Sequence, residues 1–254
     1  TETPKFSFPV EQVDLPSQGK LYPSDSVLSK GVLDIKYMTT KEEDILTSQN
    51  LIRKGIVVEK LLESLVVTPG VNVHDLVLGD KNAVMVAARI LAYGPEYTVE
   101  ATHPQTGEKQ KVTFDLSDCP FKELPDDVDY TNGEFTFELP ICKKTVTFKI
   151  LTGHDDKVID KEIKSAAKIA KFGSSPEVST RLKHALLSVD GNTSKGVIYD
   201  FVNNMLARDS LALRNEIARL APDILMEQEV EWDGGETVDV DIPLTVNFFW
   251  PNAK

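Results

Sequence analysis

The run Gly153-His154-Asp155-Asp156 is the most site-like stretch of the chain. An imidazole beside two carboxylates can bind a divalent cation or move protons in a hydrolytic step. Here, however, the two acids fall in the first turn of an expected helix, where the backbone dipole favours anions. Thr152 and Asp155 read as that helix's opening, so capping accounts for the acids without catalysis. The acidic runs at 115–118 and 126–129 read as solvated turns, and the second lacks a calcium-loop pattern. His74, His103, His154 and His184 are far apart, with no helical metal spacing. Cys119 and Cys142 are not a disulfide framework, and nothing beside them in sequence activates a thiol. No phosphate-binding loop, nucleophile elbow or zinc-protease motif occurs. The expectation is a non-enzyme without a cofactor. A hydrolase built on His154, Asp155 and Asp156 is the distant alternative.

Two further stretches have the outline of a metal site without its ligands. "YTVEATHPQTGEKQKVTFDLS" (97–117) and "EVEWDGGETVDVDIPL" (229–244) each read as strand, tight turn, Gly-Glu, strand. A zinc ribbon is two such hairpin knuckles whose thiolates meet around one Zn²⁺. The knuckles here are Thr102-His103-Pro104-Gln105-Thr106-Gly107 and Trp232-Asp233-Gly234-Gly235, with no cysteine in either. His103 alone cannot hold zinc. The expectation is that the hairpins lie side by side as a degenerate, metal-free ribbon.

Residues 1–38 read as an extended arm and first strand, because Pro9, Pro16 and Pro23 keep the residues before them extended. A helical block follows at 39–95, in which Thr40 and Glu43 fit a capping box and Asp80 fits an N-cap. An antiparallel β block spans 96–150 and carries the first hairpin. A second helical block spans 151–222, with one helix running to Phe172, a second extending through "RLKHALLSV", and a last one capped by Asp209. The second hairpin and an apolar tail close the chain at 223–254. Strands in antiparallel pairs and helices in groups make the fold class α+β.

The net charge of −12 repels phosphate backbones and anionic lipid, so neither nucleic acid nor a membrane is an expected partner. The most apolar window, 83–94, is too short to span a bilayer and contains Arg89. No leader pattern stands at the N-terminus, and a reducing cytoplasm is the expected place of synthesis. Leu15, Leu21, Tyr22 and Pro23 in the arm are the partner-contact candidates. Phe248, Phe249 and Trp250 are the candidates to seal the chain's own core.

The pieces "LPSQGKLYP", "YMTTKEEDIL", "LLESLV", "LVLGDKNAVMVAARILAYGPEYTVEATHP", "DLS…FKELP", "KILTGHDDKVI", "ARDSLALRNEIARLAPDI" and "IPLTVNFFWP", in that order, carry a likeness. With them the chain resembles the T4-type baseplate protein family of contractile-tailed phages and prophages. The resemblance implies a structural protein of the baseplate, in its central hub, acting through protein–protein contacts. Its partners would be other baseplate or tail hub proteins and the tape measure protein. It would be found in the infected host's cytoplasm during assembly and then in the virion tail. The alternative is an assembly factor that leaves before the virion is complete. Many members carry C-x-x-C-G in both hairpins; this chain departs from that pattern, so the metal is not carried over.

Overall fold

The structure is a computed structural model that describes residues 9–169, 175–243 and 248–250. Among these residues the fold is mixed α+β, with eight α-helices and small antiparallel sheets. Strand β1 (Val10–Asp14) pairs with β2 (Val32–Lys36), Gln12 opposite Asp34. Helices α1 (Thr40–Thr47), α2 (Gln49–Lys54), α3 (Val57–Leu65) and α4 (Leu78–Tyr93) follow. The first hairpin is β3 (Glu96–Thr102) with β4 (Lys109–Asp115). Strands β5 (Glu134–Glu138) and β6 (Thr145–Lys149) form a sheet with β7 (Leu186–Val189), β6 in the middle. Helix α5 (Gly153–Ile169) and helix α6 (Glu177–Ala185) lie between β6 and β7 in sequence. Helices α7 (Lys195–Asn203) and α8 (Ala207–Leu220) lead to the second hairpin, β8 (Glu227–Glu231) with β9 (Thr237–Asp241).

Period-two burial explains the sheets. In β3 the alternation is strict, and Tyr97, Val99 and Ala101 face inward. They join a first core with Leu33 and Ile35 of β2, Leu61, Leu62 and Leu65 of α3, and Val84 of α4. Phe248 and Phe249 are buried in this core, and the Trp250 indole N–H donates to the Leu46 carbonyl at 2.9 Å. A second core joins Val146 and Phe148 of β6, Leu182 of α6, Ile198 and Val202 of α7 and Leu213 of α8. Gly79 in the first turn of α4 lets the segment after α8 approach closely: a Cβ there would sit 1.8 Å from the Pro222 carbonyl oxygen. The buried Arg89 donates to the carbonyls of Gly94 and Glu96, tying the end of α4 to β3.

Local readings fail where long-range partners win. The capping pair is Thr39 and Glu42, one residue before the expected Thr40 and Glu43. Glu42 accepts from the Thr39 backbone N–H at 2.9 Å and hydroxyl at 2.6 Å. Lys36 at 2.7 Å and Ser64 at 2.6 Å complete its shell, which is fully buried. Asp80 caps nothing, because α4 starts at Leu78. Asp209 likewise lies inside the first turn of α8 and accepts instead from the N–H groups of Ile141 and Cys142, at 2.8 and 3.1 Å. The helix expected to run through "RLKHALLSV" stops at Ala185, and Leu186–Val189 pairs with β6. The expected extension of α5 to Phe172 lies outside the described residues.

Burial alone would raise the Glu42 carboxyl, but the bonds from Lys36, Ser64 and Thr39 outweigh it and hold the group at about 2, from an ordinary 4.5. Because the folded value is depressed, the stabilisation is complete above pH 4.5 and is lost as pH falls from there towards 2. The shift corresponds to ~3 kcal/mol. Glu42→Gln should therefore lose most of that at pH 7 and show a flatter acid limb. Urea unfolding at pH 7 and at pH 3 checks it; equal losses at both would contradict the assignment.

Candidate partner-docking site

The arm folds onto its own chain. Leu15 is buried at 2% exposure, so it is not free to meet a neighbour. Beyond it the chain makes a tight turn in which Gln18 and Gly19 take left-handed conformations, φ 54° and 77°. A Cβ on Gly19 would fall 2.2 Å from the Ser29 carbonyl oxygen, which explains glycine there. Ser17 then docks on Asp80: its N–H donates at 2.8 Å and its hydroxyl at 2.6 Å. The Tyr22 hydroxyl donates to the same carboxylate at 2.6 Å and accepts from the Val77 N–H at 3.0 Å. Burial, then the neighbouring Asp80 carboxylate, pushes the Tyr22 phenol far above its ordinary value. Burial also raises the Asp80 carboxyl, against the three hydrogen bonds it accepts.

These bonds fix Leu21, Tyr22 and Pro23 as one wall of a cleft of about 650 Å³. Asn132, Gly133, Glu134 and Leu187 also line it, with Asp75 and Val77 from the segment before α4. Leu21 and Tyr22 are half-buried and Pro23 is exposed. Asp25 and Glu134 also line the cleft and have no cationic partner among the described residues, whereas Lys149 is held by both oxygens of Asp155, at 2.7 and 2.9 Å. The cleft is thus open, partly apolar and negatively charged. The chemistry it can do is to receive an apolar group flanked by cations.

The His154-Asp155-Asp156 run does not converge. Asp155 reaches back to the Thr152 N–H at 3.0 Å and to Lys149. Asp156 pairs with Arg181 at 3.1 Å, and His154 with Asp75 at 3.1 Å. Each member thus serves a different element. Asp155→Ala should cost about 1 kcal/mol, since it removes an opening-turn bond. His154→Gln should leave stability and infectivity unchanged. Thermal unfolding and plaque counts check both, and loss of infectivity in a normally folded His154→Gln protein would contradict this reading.

The two hairpins touch. The His103 and Trp232 rings meet edge to face, centroids 5.1 Å apart at 87°. The Asp233 N–H donates to the Gln110 side-chain oxygen at 2.8 Å, and the Asp115 N–H to that of Gln228 at 3.1 Å. His103 Nδ1 accepts from the N–H groups of Gln105 and Thr106, both at 3.2 Å, which places the ring proton on Nε2. Cys119 is buried beside Gln228, and burial raises its thiol; Cys142 is exposed. No group of three or more His, Cys, Asp or Glu among the described residues is placed to hold a metal ion.

A family model described as T4 bacteriophage base plate protein matches residues 9–180. The chain belongs to this family. The match takes in β1, the arm turn, α1 to α5 and most of the cleft, and it ends within α6. The second hairpin and the pieces "ARDSLALRNEIARLAPDI" and "IPLTVNFFWP" lie beyond it. No curated protein and no solved structure matches the chain. Membership makes this a phage baseplate protein and implies contacts with other baseplate proteins. Among the described residues no helix is long and apolar enough to cross a membrane.

Proposed function

We propose that the chain is a structural component of the central hub of a contractile-tail baseplate, built into the host cytoplasm's growing tail and retained in the virion. The family match is the observation that carries this reading. It acts by contact: a neighbouring hub or tape measure protein docks an apolar group flanked by basic residues against Leu21, Tyr22 and Pro23. The exposed edge of Pro23 and the carboxylates of Asp25 and Glu134, without an ion pair among the described residues, support that partner chemistry. The paired hairpins act as a degenerate ribbon, in which the His103–Trp232 contact stands where a zinc ribbon's knuckles share a metal. The absence of thiolates from both turns supports a metal-free unit. One zinc per chain in elemental analysis of native protein would overturn that part.

A phage with a stop codon in this gene should yield tails without complete baseplates, as seen by negative-stain microscopy. Complementation with Pro23→Arg should restore folded protein but not assembly. Normal baseplates in the absence of the chain would overturn the proposal.

A further inference from the structure

Among the eleven large apolar side chains that the described residues leave exposed, Ile52 is the one followed directly by two basic residues, Arg53 and Lys54. All three stand at the end of α2, where Leu51 packs against the first core and Ile52 is 42% exposed. Gly55 ends that helix in a left-handed conformation, φ 68°. A third cation reaches the same spot from α5: a Cβ on Gly55 would lie 3.6 Å from Lys164 Nζ. Arg53, Lys54 and Lys164 are exposed and have no ion pair among the described residues. The helix dipole accounts for two cations in the last turn of α2. It does not account for the exposed Ile52 beside them, or for a lysine brought in from another helix.

The α2 tip is thus an apolar group flanked by cations, on a chain of net charge −12. The arm cleft offers the complement, with Leu21, Tyr22 and Pro23 beside the carboxylates of Asp25 and Glu134. Within one copy the two stay apart. The cleft reaches Thr152, just before α5, and Lys164 lies twelve residues further along. At 1.5 Å per helical residue that is about 18 Å. The tip of one copy is therefore free to meet the cleft of another.

We infer, on the reading of the arm cleft as a docking site, that its occupant is a second copy of this chain. Ile52 of one copy packs against Leu21, Tyr22 and Pro23 of the next, and Arg53, Lys54 and Lys164 pair with Asp25 and Glu134. Tip and cleft are different surfaces, so the contact is heterologous and repeats head to tail. The net charge opposes association at long range, which leaves the local pairing to decide it.

Sedimentation velocity of the purified chain over a concentration series tests this. The wild type should associate as its concentration rises. A tip variant, Arg53→Glu with Lys54→Glu, and a cleft variant, Asp25→Lys with Glu134→Gln, should each weaken association at least tenfold. Glu134→Gln avoids setting a like charge opposite Lys149, its cross-strand neighbour on β6. All four side chains are exposed, so circular dichroism should show unchanged folding. Mixed together, the two variants should associate again, because the acidic tip meets the basic cleft and the native tip meets the native cleft. A monomer at every concentration, association that neither variant changes, or a mixture that stays apart would overturn the inference. Complementation then separates it from the cleft reading. If the cleft variant blocks baseplate assembly and the tip variant does not, the cleft receives a different protein and the second copy is ruled out. If both variants support assembly, the cleft reading falls as well.

Discussion

Asp80→Ala is expected to destabilise the protein by about 3–5 kcal/mol, because it strips a buried acceptor from three donors at once. Asp80 and Ser17 are both fully buried, and the Ser17 N–H, the Ser17 hydroxyl and the Tyr22 hydroxyl all donate to this one carboxylate. Each orphaned donor costs roughly 1–3 kcal/mol, partly relieved by relaxation. The damage should be local first: the turn at 15–31 should become sensitive to proteolysis before the rest of the fold. Asp80→Asn keeps one acceptor oxygen and should cost less. The pH dependence has the opposite sign to that of Glu42. Because burial raises the Asp80 carboxyl in the folded state, the folded protein binds a proton more readily than the unfolded chain between the ordinary 3.8 and that raised value. This group alone therefore makes stability fall as pH rises from the ordinary 3.8 through the raised value. Urea unfolding with limited proteolysis reads both effects. A loss under 1 kcal/mol would mean that the arm is held by apolar packing alone.

Trp232→Ala should cost a similar 3–5 kcal/mol, the usual range for emptying an indole from a core. Trp232 is 6% exposed, and its edge-to-face contact with His103 joins hairpins whose turns are separated by more than a hundred residues of chain. Its own turn is closed by bonds from the Trp232 N–H to the Glu236 carbonyl at 2.7 Å and from the Gly235 N–H to the Trp232 carbonyl at 2.9 Å. Those backbone bonds survive the substitution, so the second hairpin should persist while its docking loosens. Hydrogen exchange should accelerate at the Gln105 and Thr106 amides, whose acceptor is the His103 ring. Trp232→Phe should recover part of the loss. If Trp232→Ala leaves those amides protected, the rings are bystanders and the Gln110 and Gln228 bonds hold the hairpins together.

The strands were legible because their burial alternates: Tyr97, Val99 and Ala101 inward, with Glu96, Thr98 and Glu100 outward. Helix starts were less so, since "TTKEE" fits two capping registers and only Lys36 and Ser64, brought in by the fold, choose Glu42. Asp80 and Asp209 look like caps in sequence, yet their partners lie 63 and 68 residues away. Leu186–Val189 has three apolar residues in four, too short a stretch for periodicity to separate strand from helix; β6 decides it. Of the cleft, Tyr22 and Pro23 carried a signal as bulky, non-helical arm residues. Asn132, Gly133 and Leu187, which also line it, carried none, because proximity across a fold leaves no local pattern.

The central claim is that this chain is a retained part of the baseplate, as opposed to a factor that helps it form. Quantitative mass spectrometry of purified virions tests this most directly, with peptides from 9–180 and from 195–243 measured against known tail proteins. The account predicts both sets at the same fixed, stoichiometric copy number per particle. Abundant chain in the infected cell with none in the purified virion would contradict it.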